Sequence, residues 1–126
     1  MKQPKVYVKK YDKIFDVIEI HFDINVVYFD DGIRDGYMSL DFDEVEFIYG
    51  TGFIDKNGKE IESGDILKTE FEDVFTIESH NFYGFCAVDE DEKYYFAEET
   101  EDELRETLSK TEVIGNIYEN KDLLEV

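Results

Sequence analysis

The chain has 126 residues, the size of one domain, and its 42% hydrophobic and 16% aromatic content is enough for a compact core, which argues against wholesale disorder. Thirty-three Asp and Glu face 13 Lys and Arg, a formal net charge of −20, and only residues 1–10 run basic. A field of this sign argues against binding DNA, RNA or an anionic membrane through a positive patch, and it favours partners that are themselves basic.

The first run, Lys5 to Val8, reads as a strand, and Lys9–Lys13 as a polar turn. Ile14 to Ile20 and Phe22 to Phe29 follow as β-branched and aromatic runs with partial alternation. Asp30-Asp31-Gly32 is a turn signal, because Asp-Gly readily supplies positive φ. A polar connector, Ile33 to Ser39, leads through Leu40 to Glu44 into a strand at Val45 to Tyr49, with Val45, Phe47 and Tyr49 on one face. Gly50-Thr51-Gly52 breaks it. Asp55-Lys56-Asn57-Gly58-Lys59 is a tight turn flanked by Phe53-Ile54 and Glu60-Ile61. Ser63-Gly64-Asp65 turns again before a strand at Ile66-Leu67. Val74 to Ser79 and Phe82 to Val88 form a hairpin turning near His80-Asn81. Asp89 to Glu92 is a charged turn before Tyr94 to Ala97.

Thr100 and Glu103 make a capping box, and Glu101, Asp102 and Glu103 suit the positive end of a helix dipole. Leu104 and Leu108, one turn apart, give the helix a narrow apolar stripe, so it is expected over 101–109. Glu112 to Tyr118 returns as a last strand, with Gly115 marking a bulge or a close backbone contact. Lys121 to Leu124 is a helical turn. Many short strands, frequent turns and one helix define a mainly β (α+β) chain, a small barrel or sandwich with no internal repeat and no linker.

Little in the sequence carries catalysis. Cys86 is alone, which precludes an intrachain disulfide and fits a reducing cytoplasm. It lies in an apolar, aromatic strand and reads as a small buried residue. His21 reads as a strand-surface residue and His80 as a turn residue. Asp55-Lys56-Asn57-Gly58 fails as a calcium loop, since its Gly is fourth rather than sixth and Ile66 stands at the twelfth position. Asp41, Asp43 and Glu44, or Asp89 to Glu92, offer at most weak Ca²⁺ or Mg²⁺ binding, and solvated acidic turns are the plainer reading. No cofactor, metal or enzymatic activity is expected. No signal-peptide core stands near the N-terminus, and no apolar run approaches the ~20 residues that span a bilayer.

Two stretches, Tyr49 to Ile66 with its Gly50-Thr51-Gly52-Phe53 and Asp55-Lys56-Asn57-Gly58 segments, and Val113-Ile114-Gly115-Asn116-Ile117-Tyr118-Glu119-Asn120, resemble the signature of the YopX family. The resemblance covers most of the chain. It implies an origin in phages and prophages of low-GC Gram-positive bacteria, and a largely β protein with an SH3-like barrel in its C-terminal part. On that basis residues 1–126 form one domain, with N-terminal strands over about 1–48 packed on a barrel core over about 49–126. It implies no enzyme activity. The lysine-rich opening and the absence of Trp depart from the family's usual pattern.

Function is therefore expected to be binding. Four acidic runs are the candidates: Asp41, Asp43, Glu44 and Glu46; Glu70, Glu72 and Asp73; Asp89, Glu90, Asp91 and Glu92; and Glu98, Glu99, Glu101, Asp102 and Glu103. Such a surface imitates the charge of a phosphate backbone and suits a basic, nucleic-acid-binding host protein in the bacterial cytoplasm, which the chain would inhibit. Tyr94 and Tyr95 are candidate aromatic anchors. The alternative is a self-associating accessory or structural protein, a homo-oligomer whose acids serve solubility.

Overall fold

β-Branched and aromatic residues crowd the runs that fold as strands, and Asp, Asn and Gly take the reversals between them. The computed structural model of the protein describes residues 4–32, 36–80, 84–90 and 92–124. The chain divides into two units, Met1–Tyr49 and Gly50–Val126.

The first unit is an antiparallel sheet of β1 (Lys5–Val8), β2 (Lys13–His21), β3 (Val26–Phe29), β4 (Met38–Asp41) and β5 (Val45–Ile48), in the order β4-β3-β2-β1-β5. One face gathers Val6, Val8, Val27, Phe29, Leu40 and Val45 into a buried cluster, with Phe15, Val17, Ile20, Met38, Phe42 and Phe47 packed on it. A register shift between Val17 and Glu19 explains the imperfect alternation of β2. After Phe15 and Val17, the bulge turns Ile20, rather than Glu19, toward that face. The strand expected from Phe22 begins only at Val26, because the β2–β3 reversal consumes the residues between, with Asn25 at φ 55°. Phe22 is left 74% exposed there. Beyond Val45 and Phe47, the opposite face of β5 contributes a buried Ile48 that simple alternation did not reveal.

The second unit opens with a hairpin of β6 (Gly50–Ile54) and β7 (Glu60–Glu62). The strand from Val45 ends at Ile48, ahead of Gly50-Thr51-Gly52 as expected, but that segment opens a new strand instead of a loop. It lies within β6, where Gly52 at φ 85° sits in a pairing irregularity between Gly50 and Ile54. A second five-stranded antiparallel sheet follows: β8 (Asp65–Lys68), β9 (Val74–His80), β10 (Gly84–Asp89), β11 (Glu92–Tyr95) and β12 (Glu112–Asn116), in the order β11-β10-β9-β8-β12. His80 is the last residue of β9, paired with Gly84, rather than a turn residue. The expected turn at Asn81, and Phe82 beyond it, lie outside the described residues, as do Ile33 to Asp35 of the expected connector.

A 3-10 turn at Phe96–Glu98 replaces the expected strand end at Ala97 and leads into α1 (Glu101–Leu108). Thr100 caps the helix as expected, its hydroxyl accepting the Glu103 N–H at 3.2 Å. Ile61, Leu67, Ile77 and Leu108 form the buried core, surrounded by Phe53, Phe75, Phe85, Ala87, Phe96, Leu104 and Val113.

Both large sheets are wired alike. Four strands meander, a helical turn follows the fourth, and the fifth returns to pair antiparallel with the first. The sequence shows no corresponding repeat. The barrel that the family resemblance implies is not closed. In the second unit β11 and β12 remain the two edges of the sheet, and its apolar face is covered by Leu104 and Leu108 of α1 and by the β6–β7 hairpin instead of by the sheet itself.

Candidate functional site

The two signature stretches meet in one knot of the second unit. Asp55, only 3% exposed, accepts the backbone N–H of Asn57 and of Lys59 at 2.9 Å each on one oxygen, and that of Val113 in β12 at 3.0 Å on the other. Burial pushes its pKa up, but these three bonds and the nearby Lys59 ammonium outweigh that and hold it below the usual carboxylate range. Lys56 N–H adds a bond to the Thr111 carbonyl at 2.8 Å. Gly64, at φ 88°, donates to the Ile77 carbonyl and accepts from the Ile117 N–H. A Cβ at Gly64 would lie 2.7 Å from the Tyr118 ring, and one at Gly115 would lie 2.7 Å from the Asn120 side chain. Asn116 Oδ1 caps the following turn by accepting from Tyr118 and Glu119. The bulge expected at Gly115 is there, between Val113 and Gly115. These residues hold β8 and β12 in place and leave their own polar groups occupied, so the knot is scaffold.

What the scaffold presents is a cleft of about 290 Å³. Helix α1 has only eight residues, and Leu104 and Leu108 are its sheet-facing apolar pair, so it covers only part of the apolar face of the sheet. The uncovered margin becomes the floor, with Phe75 from β9, Ala87 from β10, Tyr94 and Tyr95 from β11, and Phe96 beyond. Leu104, Thr107 and Leu108 form the helical wall. Three carboxylates ring it, Asp73, Asp89 and Glu99. Asp73 closes a turn that Thr69 pins by accepting the N–H groups of Phe71 and Asp73 on its hydroxyl at 3.2 and 3.1 Å. Tyr94 is 55% exposed and donates its hydroxyl hydrogen bond to Glu92. That bond, then the charges of Glu92 and Asp89, keep its phenol above its ordinary pKa.

The structure thus brings three of the four expected acidic runs to one place, each contributing one residue to the cleft: Asp73, Asp89 and Glu99. Glu70, Glu72, Glu90, Glu92, Glu98, Glu101, Asp102 and Glu103 are exposed on the same unit, while Asp91 lies outside the described residues. The first run belongs to the first unit. Asp41, Asp43 and Glu46 are exposed and Glu44 half-buried, and Lys9 lies against the run, its ammonium donating to the Asp43 carbonyl at 3.2 Å. Oxygens of Asp41, Asp43 and Glu44 lie within 4.8 Å of one another, an exposed acidic cluster of a kind common without an ion.

Charge is unevenly shared. Residues 50–126 hold 22 acids and 7 Lys or Arg, a net −15 of the total −20. Five of these cations pair with acids that do not line the cleft: Lys56 with Glu112 at 2.8 Å, Lys68 with Glu72 at 2.6 Å, Lys93 with Glu78 at 3.4 Å, Arg105 with Glu101 at 2.6 Å and Lys110 with Glu106 at 3.7 Å. Lys56, Lys68 and Lys110 gather around a separate polar depression with Glu70, Glu72 and Glu112. Asp73, Asp89 and Glu99 have no ion pair among the described residues.

Cys86, His21 and His80 do not line the cleft. Cys86 is buried, and burial first, then Glu78, push its thiol up against the opposing pull of Lys93, which keeps it a poor nucleophile. His21 sits on a strand surface as expected, with Nε2 3.0 Å from Glu19 and its ring against Tyr28. His80 lies edge-on to Tyr95. Sequence reasoning missed the floor, Phe75, Ala87 and Phe96, since these residues read only as positions within strands. The brevity of the capped helix was the available signal that some of the core stays open.

The fold and the cleft define a mainly β, antiparallel protein of two like-wired sheets with one capped helix. The chain belongs to the YopX protein family, which matches residues 5–125. It is also similar to the crystal structure of protein EF1440 from Enterococcus faecalis, with a TM-score of 0.64, 22% identity and 99% of each chain covered, a likeness of fold. No curated protein matches the chain. No helix among the described residues is long and apolar enough to cross a membrane.

Proposed function

We propose that the chain is a binding protein rather than an enzyme, phage-encoded, whose second unit engages a basic, nucleic-acid-handling host protein in the cytoplasm and inhibits it by presenting carboxylates where that protein expects phosphates. One observation carries this reading: three acidic runs separate in sequence converge on an aromatic-floored cleft whose carboxylates have no ion pair among the described residues. Leaving like charges together costs stability, and no ion pair among the described residues offsets it, as expected for a surface whose counter-charge arrives on a partner. The strand order of the second sheet is compatible with the SH3-like arrangement that the family resemblance implies for the C-terminal part.

The test is capture from host lysate on the immobilised protein at low salt, eluted at ~0.5 M salt, where screening reaches a few ångströms. Nucleic-acid-binding proteins should elute, duplex DNA should compete with them, and the Asp73→Asn, Asp89→Asn, Glu99→Gln variant should retain less. An eluate without basic proteins, or retention unchanged in the variant, refutes the reading. A second reading, self-association, draws on Phe22 and Ile24, which stand exposed side by side at the β2–β3 reversal. It requires a concentration-dependent oligomer by light scattering that Phe22→Ser dissolves; a monomer at all concentrations disposes of it.

A further inference from the structure

We propose that the cleft of the second unit is a docking site for a short basic segment of a partner protein, with one apolar side chain on the floor of Phe75, Ala87 and Leu104 and flanking Arg or Lys on Asp73, Asp89 and Glu99. This rests on the reading of the chain as a binding protein and goes further by naming what the cleft accepts.

Three features fix the occupant's chemistry. The carboxylates come from three separate places, the β8–β9 turn, the end of β10 and the entry to α1, so the entering group is cationic, and an acidic ligand or a nucleotide is repelled. The floor and walls are apolar, so a bare polycation would leave them unfilled, whereas an apolar side chain there removes its own surface and theirs from water at about 25 cal/mol per Å². The volume, about 290 Å³, lies near the lower end of ligand sites, enough for one or two side chains and too small for a folded element. Tyr94, exposed and tethered to Glu92, offers a ring face for a guanidinium, and the long stems of Arg and Lys cross apolar surface while their heads reach the carboxylates. A concave, anchor-bearing site of this kind reads a linear motif, where a phosphate-backbone imitation alone needs only a field.

Three capped, fluorescein-labelled hexapeptides test it by anisotropy at about 50 mM salt: Arg-Arg-Leu-Leu-Arg-Arg, the same with Gly in place of Leu, and the same with Glu in place of Arg. The first should bind at least tenfold tighter than the second, and the third should not bind. Thr107→Phe, which fills the cleft from the exposed side of α1, and Tyr94→Ala should each weaken the first peptide about tenfold with the circular dichroism spectrum unchanged, and Asp89→Asn about threefold or more. Glu119→Gln, a charge change at an exposed residue outside the cleft and outside the acidic runs, should shift it less than twofold. Equal binding of the Leu and Gly peptides, indifferent to Thr107→Phe, overturns the docking site while leaving the electrostatic reading intact. So does a dimer in ultracentrifugation that shields Tyr94 before any peptide is added, which makes a second copy the occupant. Absence of binding by all three peptides, with basic host proteins still captured, also overturns it.

Discussion

Asp55 shows how much a single side chain can organise. Its two oxygens take three backbone N–H groups, two from its own turn and one from β12. Asp55→Asn places an NH₂ where one of those donors points, and it should cost about 2–3 kcal/mol in denaturant unfolding, since bonds to a charged buried group are worth about 1.5–3. Because its folded pKa is depressed, its contribution is complete above the unfolded value near about 4 and disappears as pH falls through the folded value. The wild-type protein should therefore lose stability on acidification below about pH 4 by more than Asp55→Asn does. Gly64→Ala should cost about 2–4 kcal/mol, from its left-handed backbone and from the Tyr118 ring 2.7 Å from the new methyl. The turn chemistry of both residues was legible in the sequence, as Asp-Lys-Asn-Gly and Ser-Gly-Asp. Their tertiary roles were not, because the partners Val113 and Tyr118 lie about fifty residues on, and short-range patterns carry no register between distant strands.

At the scale of elements, α1 was the most legible part of the chain, because cap, dipole and apolar stripe agreed. Thr100→Ala should lower stability by about 1 kcal/mol. Leu108→Ala should lower it by about 2–5 kcal/mol, since Leu108 is buried in the core beneath the helix. Thermal melts of the two variants separate these magnitudes. Strand ends were less legible. Val26 rather than Phe22 opens β3, and Tyr95 rather than Ala97 closes β11, because both neighbouring stretches hold aromatics that suit a strand and a solvent-facing turn equally well. The open barrel was illegible for a related reason. Alternation shows which face is apolar, not whether a helix or the sheet itself will cover it.

For the molecule as a whole, charge decides more than any one bond. The acidic runs were plain in the sequence, but their gathering was not: Asp73, Asp89 and Glu99 come together only through the β8–β9 turn, the end of β10 and the entry to α1. Their mutual repulsion should make the protein more stable in salt, with the melting temperature rising between about 20 and 500 mM NaCl as the Debye length shrinks. The Asp73→Asn, Asp89→Asn, Glu99→Gln variant should melt as high as the wild type or higher and show a smaller salt effect, although its binding is reduced. A variant that melts lower would mean that those carboxylates support the fold.

The bond from Asp55 to Val113 also sets an order of events during synthesis. Every ladder of the first sheet joins residues between Lys5 and Ile48, so its pairings can form while later segments are still on the ribosome. In the second unit the first strand of the five-stranded sheet waits for the last, since β8 finds its outer neighbour in β12 only after α1 has been made. Until then the Leu67 edge stands open beside nascent chain. A ribosome stalled before residue 113 should thus carry a protease-resistant first sheet and a protease-sensitive remainder.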